Sequence, residues 1–251
     1  DKFDFDYILI ENVSRFLSMY FPYNDTFLSL EEILNEKYSD EYNIEVRDLN
    51  AKDYGVPQSR PRAIFKMYKK DKSWPWPETQ KEITLREAIG DLPSLESGEK
   101  SSLESNEESS LKHHYARKHT NDHITWMKHT PTGHSAIENE EHYPRKKNGE
   151  RVKAFKSTYK RMKWDAPAPA VTMRSDAISS QENVHPGRKL EDGTYSDARV
   201  LTLRELLIVS SLPEEWEIPD WTTDTFMRQI IGEGIPPLFS YNIVKGIDYN
   251  D

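Results

Sequence analysis

The sequence predicts an α/β fold, and three observations carry that prediction. Tyr7-Ile8-Leu9-Ile10 is a short continuous apolar run, the pattern of a central, fully buried strand in a parallel sheet. Ser29-Leu30-Glu31-Glu32 is a capping box, and Leu30, Ile33, Leu34 and Tyr38 follow at helical spacing. Tyr42, Ile44 and Val46 then alternate as a strand, and Ala63–Met67 gives another after the Gly55-Val56-Pro57 turn. Residues 1–68 therefore read as the end of an α/β domain rather than its beginning.

The next elements differ in character. Trp74-Pro75-Trp76-Pro77 is a rigid, non-helical segment. Thr84-Leu85-Arg86-Glu87 caps a short helix ending near Gly90. Residues 94–110 hold seven Ser and five Glu, which predicts a flexible loop. Seven of the eight histidines fall between His113 and His142, but their spacing matches no standard metal site, so no metal is assigned. Thr202-Leu203-Arg204-Glu205 is another capping box, leading into an apolar helix that stops at Pro213. Thr225–Ile231 reads as a helix ended by Gly232, and Pro236-Pro237 opens a last one.

Composition excludes several classes. The chain of 251 residues has no cysteine, so it carries no disulfide, no thiolate zinc site and no cysteine nucleophile. Its apolar runs are too short to span a membrane, and the acidic N-terminus lacks the apolar core of a secretory signal. The formal charge of −9 argues against a generic DNA-coating protein. Local charge argues otherwise. Residues 54–70 carry Arg60, Arg62, Lys66, Lys69 and Lys70 with no acid, and residues 145–163 carry nine bases against Glu150 alone. Polyanion binding depends on the local potential, not the total.

Four stretches carry chemistry. Glu11-Asn12-Val13 puts a carboxylate at the end of a predicted strand, where α/β enzymes hold ligands. Gln58-Ser59-Arg60-Pro61-Arg62 puts two arginines at i and i+2 entering a strand, so that both point one way and can hold an anion or a carbonyl oxygen. Pro169–Thr172 and Arg199–Glu205 form the third, and Gly232–Pro237 the fourth.

In this order the stretches resemble the C-terminal portion of the DNA (cytosine-5) methyltransferase family. Glu11–Val13 matches its Glu-Asn-Val motif, Gln58, Arg60 and Arg62 its Gln-x-Arg-x-Arg motif, and Arg199–Glu205 its Arg-x-Leu-Thr-x-Arg-Glu motif. Gly232–Pro237 is similar to its final motif, with Glu233 in place of the usual Asn and Ile235 in place of Val. The resemblance implies the C-terminal part of a Rossmann-like catalytic domain with an inserted, mixed target-recognition domain. Residues 1–68 would end the catalytic domain, 69–224 would form the recognition domain, and 225–251 would be helices returning to the catalytic domain.

It also implies roles. Family members flip a cytosine from the duplex and transfer methyl from S-adenosylmethionine to carbon 5. Glu11 would hydrogen-bond ring nitrogen 3 and the exocyclic amine. Arg62 with Arg60 would hold the base carbonyl and an adjacent phosphate. Asn12 and Gln58 would support the pocket. Arg145, Lys146, Lys147, Lys156, Lys160, Arg161, Lys163 and Arg174 would contact double-stranded DNA, with Thr202 and Arg204 organising the recognition domain. Gly232, Glu233 and Gly234 would lie on the cofactor side.

The family's glycine-rich cofactor motif and its Pro-Cys nucleophile precede Glu-Asn-Val. The expectation is therefore a chain that cannot methylate DNA without an N-terminal portion, supplied by a separate subunit or by the same parent polypeptide. The start at Asp1 rather than Met favours the parent polypeptide. The protein would be cytoplasmic, bacterial in type and DNA-associated. The alternative is a non-catalytic, sequence-specific DNA-binding protein derived from the family.

Overall fold

The structure, a computed structural model, describes residues 4–99, 111–219 and 221–247. In chain order the strands are β1 (Tyr7–Val13), β2 (Tyr20–Tyr23), β3 (Thr26–Ser29), β4 (Tyr42–Asn50), β5 (Gln58–Ser59), β6 (Pro61–Lys69) and β7 (Ala168–Pro169). The helices are α1 (Leu30–Tyr38), α2 (Leu85–Ile89), α3 (Asn121–Lys128), α4 (Leu203–Val209), α5 (Asp224–Glu233) and α6 (Pro237–Val244). No helix among the described residues is long and apolar enough to cross a membrane.

The chain divides into two compact units. The first comprises Asp1–Gly55, Arg60–Lys81 and Leu238–Asp251, and the second Val56–Ser59 and Glu82–Pro237. Against the expected boundaries, residues 69–81 group with the first unit and 225–237 with the second.

The first unit is built on a three-stranded sheet of order β1-β6-β4, antiparallel throughout. This corrects the expectation of a parallel sheet with Tyr7–Ile10 at its centre. The strand lies at the sheet's edge and its residues keep partial exposure, while β6 holds the middle. An apolar run reports burial on two faces but not the direction of its neighbours. Alternation gives the sheet two unlike faces. One bears Ile8, Ile10, Ala63, Phe65 and Met67, and α1 closes it with Leu30, Leu34 and Tyr38. The predicted capping box starts that helix: the Ser29 hydroxyl accepts from the Glu32 amide, and the Glu32 carboxylate accepts from the Ser29 amide at 2.7 Å.

The opposite face bears charge. Lys66 has no exposed surface; its Nζ lies 4.0 Å from the Trp76 ring centre and 3.7 Å from a Glu45 oxygen, and donates to the Trp74 carbonyl. Burial pushes its pKa down to about 8, against the pull of Glu45. Lys66 therefore does not belong to a phosphate-binding surface, as the run of bases at 54–70 implied. The Trp74–Pro77 segment covers this face, and the Trp74 indole donates to the Ile243 carbonyl of α6 at 2.8 Å.

The second unit has two apolar clusters. One joins α2, α4 and α5 through Leu85, Leu203, Leu206, Leu207, Met227 and Ile231; the other gathers Met127, Ala136, Ile178, Val184 and Val200. Residues 94–99 are not the start of a flexible loop: Leu95 is buried and its amide donates to Asp197 at 3.0 Å. The remainder of that predicted loop, 100–110, lies outside the described residues.

Charge is buried here too. Arg199 donates to Asp197 at 2.8 Å and to both oxygens of Glu205 at 2.8 and 3.0 Å. Arg161, also without exposed surface, donates to the carbonyls of Met127, His185, Ser196 and Asp197. Burial pushes its pKa down to about 10, so it remains charged. Gly187 makes room for it: at φ +72 and with the guanidinium 2.3 Å from where a Cβ would stand, only glycine fits. Arg161 is thus removed from the DNA-contacting set. Replacing Arg161 with Ala leaves four buried carbonyls without their donor and is expected to destabilise the protein by about 3 kcal/mol or more. Lys163→Ala, on an exposed side chain, is expected to change stability by less than about 0.5 kcal/mol. Denaturant melts of the two variants check this.

His185 sets an acid limit. Its Nδ1 accepts from the Gly187 amide at 3.1 Å, so the ring is held neutral. Burial, with Arg199 beside it, pushes its pKa from 6.5 down to about 3. The unfolded chain takes up this proton below pH 6.5, while the folded chain does not until about pH 3. Stability from this group is complete above pH 6.5 and falls by about 1.4 kcal/mol per pH unit on acidification through that window. Burial pushes His119 down to about 4, the same direction. The melting temperature is expected to drop between pH 7 and pH 5, and less so in His185→Gln.

Candidate functional site

Glu11 lies within β1, which runs on to Val13, rather than after the strand. It faces Ile64, while Val13 faces Arg62, so Glu11 and Arg62 are diagonal neighbours on the charged face of the sheet. The Arg62 Nε lies 2.6 Å from a Glu11 oxygen, with the side chains 14% and 32% exposed. The pair is therefore held in place yet open to an incoming group. Arg60 precedes β6 and is buried; its amide donates to the Asn50 side chain at 2.8 Å. Burial, then the neighbouring Arg62 charge, pushes its pKa down to about 10, while Glu11 opposes the shift. Glu11, Arg60 and Arg62 thus form one electrostatic group. Asn12 alternates to the other face, where its side chain accepts from the Val13 amide at 2.9 Å. It shapes the strand end rather than lining the charged face.

Gln58 ties three of the sequence stretches together inside the second unit. Its Oε1 accepts from the Val171 amide at 3.1 Å, and its Nε2 donates to the Val209 carbonyl at 3.1 Å and the Ser210 hydroxyl at 3.2 Å. With β5 paired parallel to β7, Gln58 links the Pro169–Thr172 stretch to the end of α4. It is fully hydrogen-bonded and buried, so its role is to position main chain.

The basic candidates separate by exposure and partner. Arg145, Lys146, Lys147, Lys156, Lys163 and Arg174 are exposed. Lys146 pairs with Glu150 at 3.0 Å and Lys156 with Glu138 at 2.8 Å, while Arg145 lies over the Tyr143 ring. Lys160 is half-buried against Glu182. Thr202 is buried as the N-cap of α4, its hydroxyl accepting from the Glu205 amide, and Arg204 pairs with Glu214. Thr202, expected to organise the recognition domain, is thus the buried cap of α4 and presents no side chain to a ligand. Among the described residues no three His, Asp or Glu side chains are grouped to hold a metal; His129 and His142 instead stack with ring centres 3.7 Å apart.

The expected cofactor contact at Gly232 is also corrected. A Cβ there would stand 2.4 Å from the Thr172 carbonyl carbon, so the space beside Gly232 is filled by the chain's own backbone. Glu233 is exposed and accepts from Gln229 at 3.1 Å; Gly234 is exposed at the C-cap of α5. The sequence signal missed Asp176, which touches Arg174 at 3.3 Å. An acid two residues from an arginine is too common a pattern to have singled it out.

Residues 2–248 match the model of the C-5 cytosine-specific DNA methylase family, and the chain belongs to that family. It is 52% identical over 241 residues to the type II methyltransferase M1.HgaI of Avibacterium volantium, a match covering 96% of this chain and 65% of the relative. The type II methyltransferase M.DdeI of Desulfomicrobium norvegicum is 29% identical, over 97% of this chain and 63% of its own length. The chain thus spans just under two thirds of these relatives. Its fold is similar to that of the S. pombe Dnmt2 methyltransferase, with a TM-score of 0.53 at 14% identity, covering 96% of this chain and 65% of that one. The structure is therefore that of a methyltransferase fold.

Gly232→Ala is expected to force α5 from the Thr172 backbone and to cost about 1–3 kcal/mol. Gly234→Ala, whose Cβ would meet nothing closer than 3.4 Å, is expected to be tolerated. Thermal melts of the two variants distinguish a packing glycine from an open one.

Proposed function

We propose that this chain is the cytosine-pocket and DNA-reading portion of a DNA (cytosine-5) methyltransferase of type II. The observation that carries this is the Glu11–Arg62 pair beside buried Arg60, in a chain that belongs to the methylase family. A flipped cytosine offers a ring nitrogen and an exocyclic amine on one edge and a carbonyl oxygen next to them. Glu11 meets the nitrogen edge. Arg62 turns its planar fork from Glu11 to the carbonyl oxygen, and Arg60 keeps a fixed positive charge behind them. The first unit is then the end of a Rossmann-like catalytic domain, and the second an inserted target-recognition domain.

The nucleophile comes from outside these residues, because none of the 251 is cysteine. An N-terminal methyltransferase portion, on the same or a separate polypeptide, supplies it. S-adenosylmethionine is the family's methyl donor. The glycine turn of this chain does not fit as its cradle, since Thr172 fills the space at Gly232, and no residue here is assigned to hold it. Absence of cysteine equally favours the second reading, a DNA-binding protein without chemistry.

The test uses the complete methyltransferase to which this chain belongs. Glu11→Gln is expected to reduce methyl transfer to duplex DNA by about a hundredfold or more while leaving DNA affinity within a few-fold. Unchanged transfer would overturn the pocket assignment. Sequence-specific binding with no transfer by the unaltered assembly would support the second reading.

A further inference from the structure

Arg174 is an exposed base whose Nε is engaged by a largely buried carboxylate, whereas the partner of exposed Arg86, Asp165, is itself 81% exposed. The turn that carries it, Thr172–Ser175, is tied down at four points. The Asn183 side chain donates to the Arg174 carbonyl at 2.7 Å, and the Ser175 amide donates to the Thr172 carbonyl at 3.1 Å. Buried Arg228 of α5 donates to the Ser175 carbonyl at 3.2 Å, and Gly232, one turn further along α5, lets the helix touch the Thr172 backbone. The side chain, by contrast, is 74% exposed.

Its direction is also set. Arg174 Nε lies 3.3 Å from one oxygen of Asp176, a side chain only 14% exposed. The other Asp176 oxygen lies 3.7 Å from Arg117, which itself donates to Asp224 at 2.8 Å. With Nε occupied from behind, the two terminal nitrogens form an outward fork. Such a fork matches the N7 and O6 acceptors of guanine in the major groove. A base edge demands a fixed Cα and a fixed fork. Phosphate oxygens do not, and exposed lysines such as Lys147 or Lys163 suffice for them.

We propose that Arg174, aimed by Asp176, reads one guanine of the target sequence, while the exposed lysines of this unit contact phosphates. This rests on the proposed DNA methyltransferase function. Asp176 acts as a positioning residue.

The experiment exposes the complete methyltransferase to a random-sequence duplex library with S-adenosylmethionine. Bound duplexes and methylated cytosines are both sequenced, the latter after bisulfite treatment. The unaltered assembly is expected to enrich a motif with guanine at a fixed position. Arg174→Ala is expected to lose that guanine preference by tenfold or more and to leave the other positions unchanged. Arg174→Lys keeps the charge but not the fork, so it retains affinity yet loses the same preference. Asp176→Asn weakens the preference at that position alone, an effect that a merely structural role would not produce. Lys163→Ala lowers binding equally across all sequences. Melting temperatures within a degree or two of the unaltered protein's exclude misfolding as the cause. A motif unchanged in Arg174→Ala, or a uniform loss across all sequences, overturns the proposal. Loss of one guanine from the bound pool without any methylation by the unaltered assembly supports Arg174 as the reader and overturns the methyltransferase function instead.

Discussion

Arg199 has no exposed surface, and the second unit is arranged around keeping its charge there. A guanidinium out of water is tolerable only when fully paired. Asp197 and Glu205 supply two carboxylates, and the Leu95 and Val200 carbonyls take its remaining donors. Each carboxylate then serves a second purpose. Glu205 accepts from the Thr202 amide at 2.6 Å and so closes the cap of α4. Asp197 accepts from Leu95 and Ser196, pinning 94–99 to the segment around it. Burial raises the Glu205 carboxyl, and Arg199 leads the interactions that more than reverse this, holding it at about 2. With Arg161 adding a second cation, charges balance and His185 is left neutral between the two acids. Such a network specifies one arrangement more than it adds stability, because any alternative packing leaves a charge alone.

The first unit follows a different logic. Its sheet has one apolar face covered by α1 and one face of mixed charge. Local strand alternation alone divides Ile8, Ile10 and Asn12 from Leu9, Glu11 and Val13. The charged face is not uniformly available. Lys66, enclosed by Trp74 and Trp76, holds the tryptophan segment from within, while the end of the sheet near Glu11 and Arg62 stays partly open. The Arg60 main chain fixes the approach to that end, its carbonyl accepting from the Ala51 amide at 3.2 Å.

What was legible in the sequence was local. The capping boxes at Ser29, Thr84 and Thr202 each start a helix where expected, because a cap is a property of four consecutive residues. The motif order gave the family, and Glu11, Arg60 and Arg62 do come together. What failed to show depends on partners far along the chain. Arg161 read as surface charge because its acceptors are at 127, 185, 196 and 197. Gln58 read as pocket support because its partners are at 171, 209 and 210. Strand direction was misjudged for the same reason: the apolar run in β1 carries no record of β6, fifty residues later. Gly232 looked like a ligand turn because sequence cannot show that the emptied space is filled by backbone.

The alternation of β1 has an evolutionary consequence. Because Ile10 faces the core and Glu11 the charged face, inserting or deleting one residue in the first half of the strand would exchange the two. A carboxylate would then lie among Ala63, Phe65 and Met67, and an isoleucine beside Arg62. Drift in the length of this strand is therefore confined to even steps. A change of a single codon here would break both faces at once, the apolar packing under α1 and the Glu11–Arg62 pair.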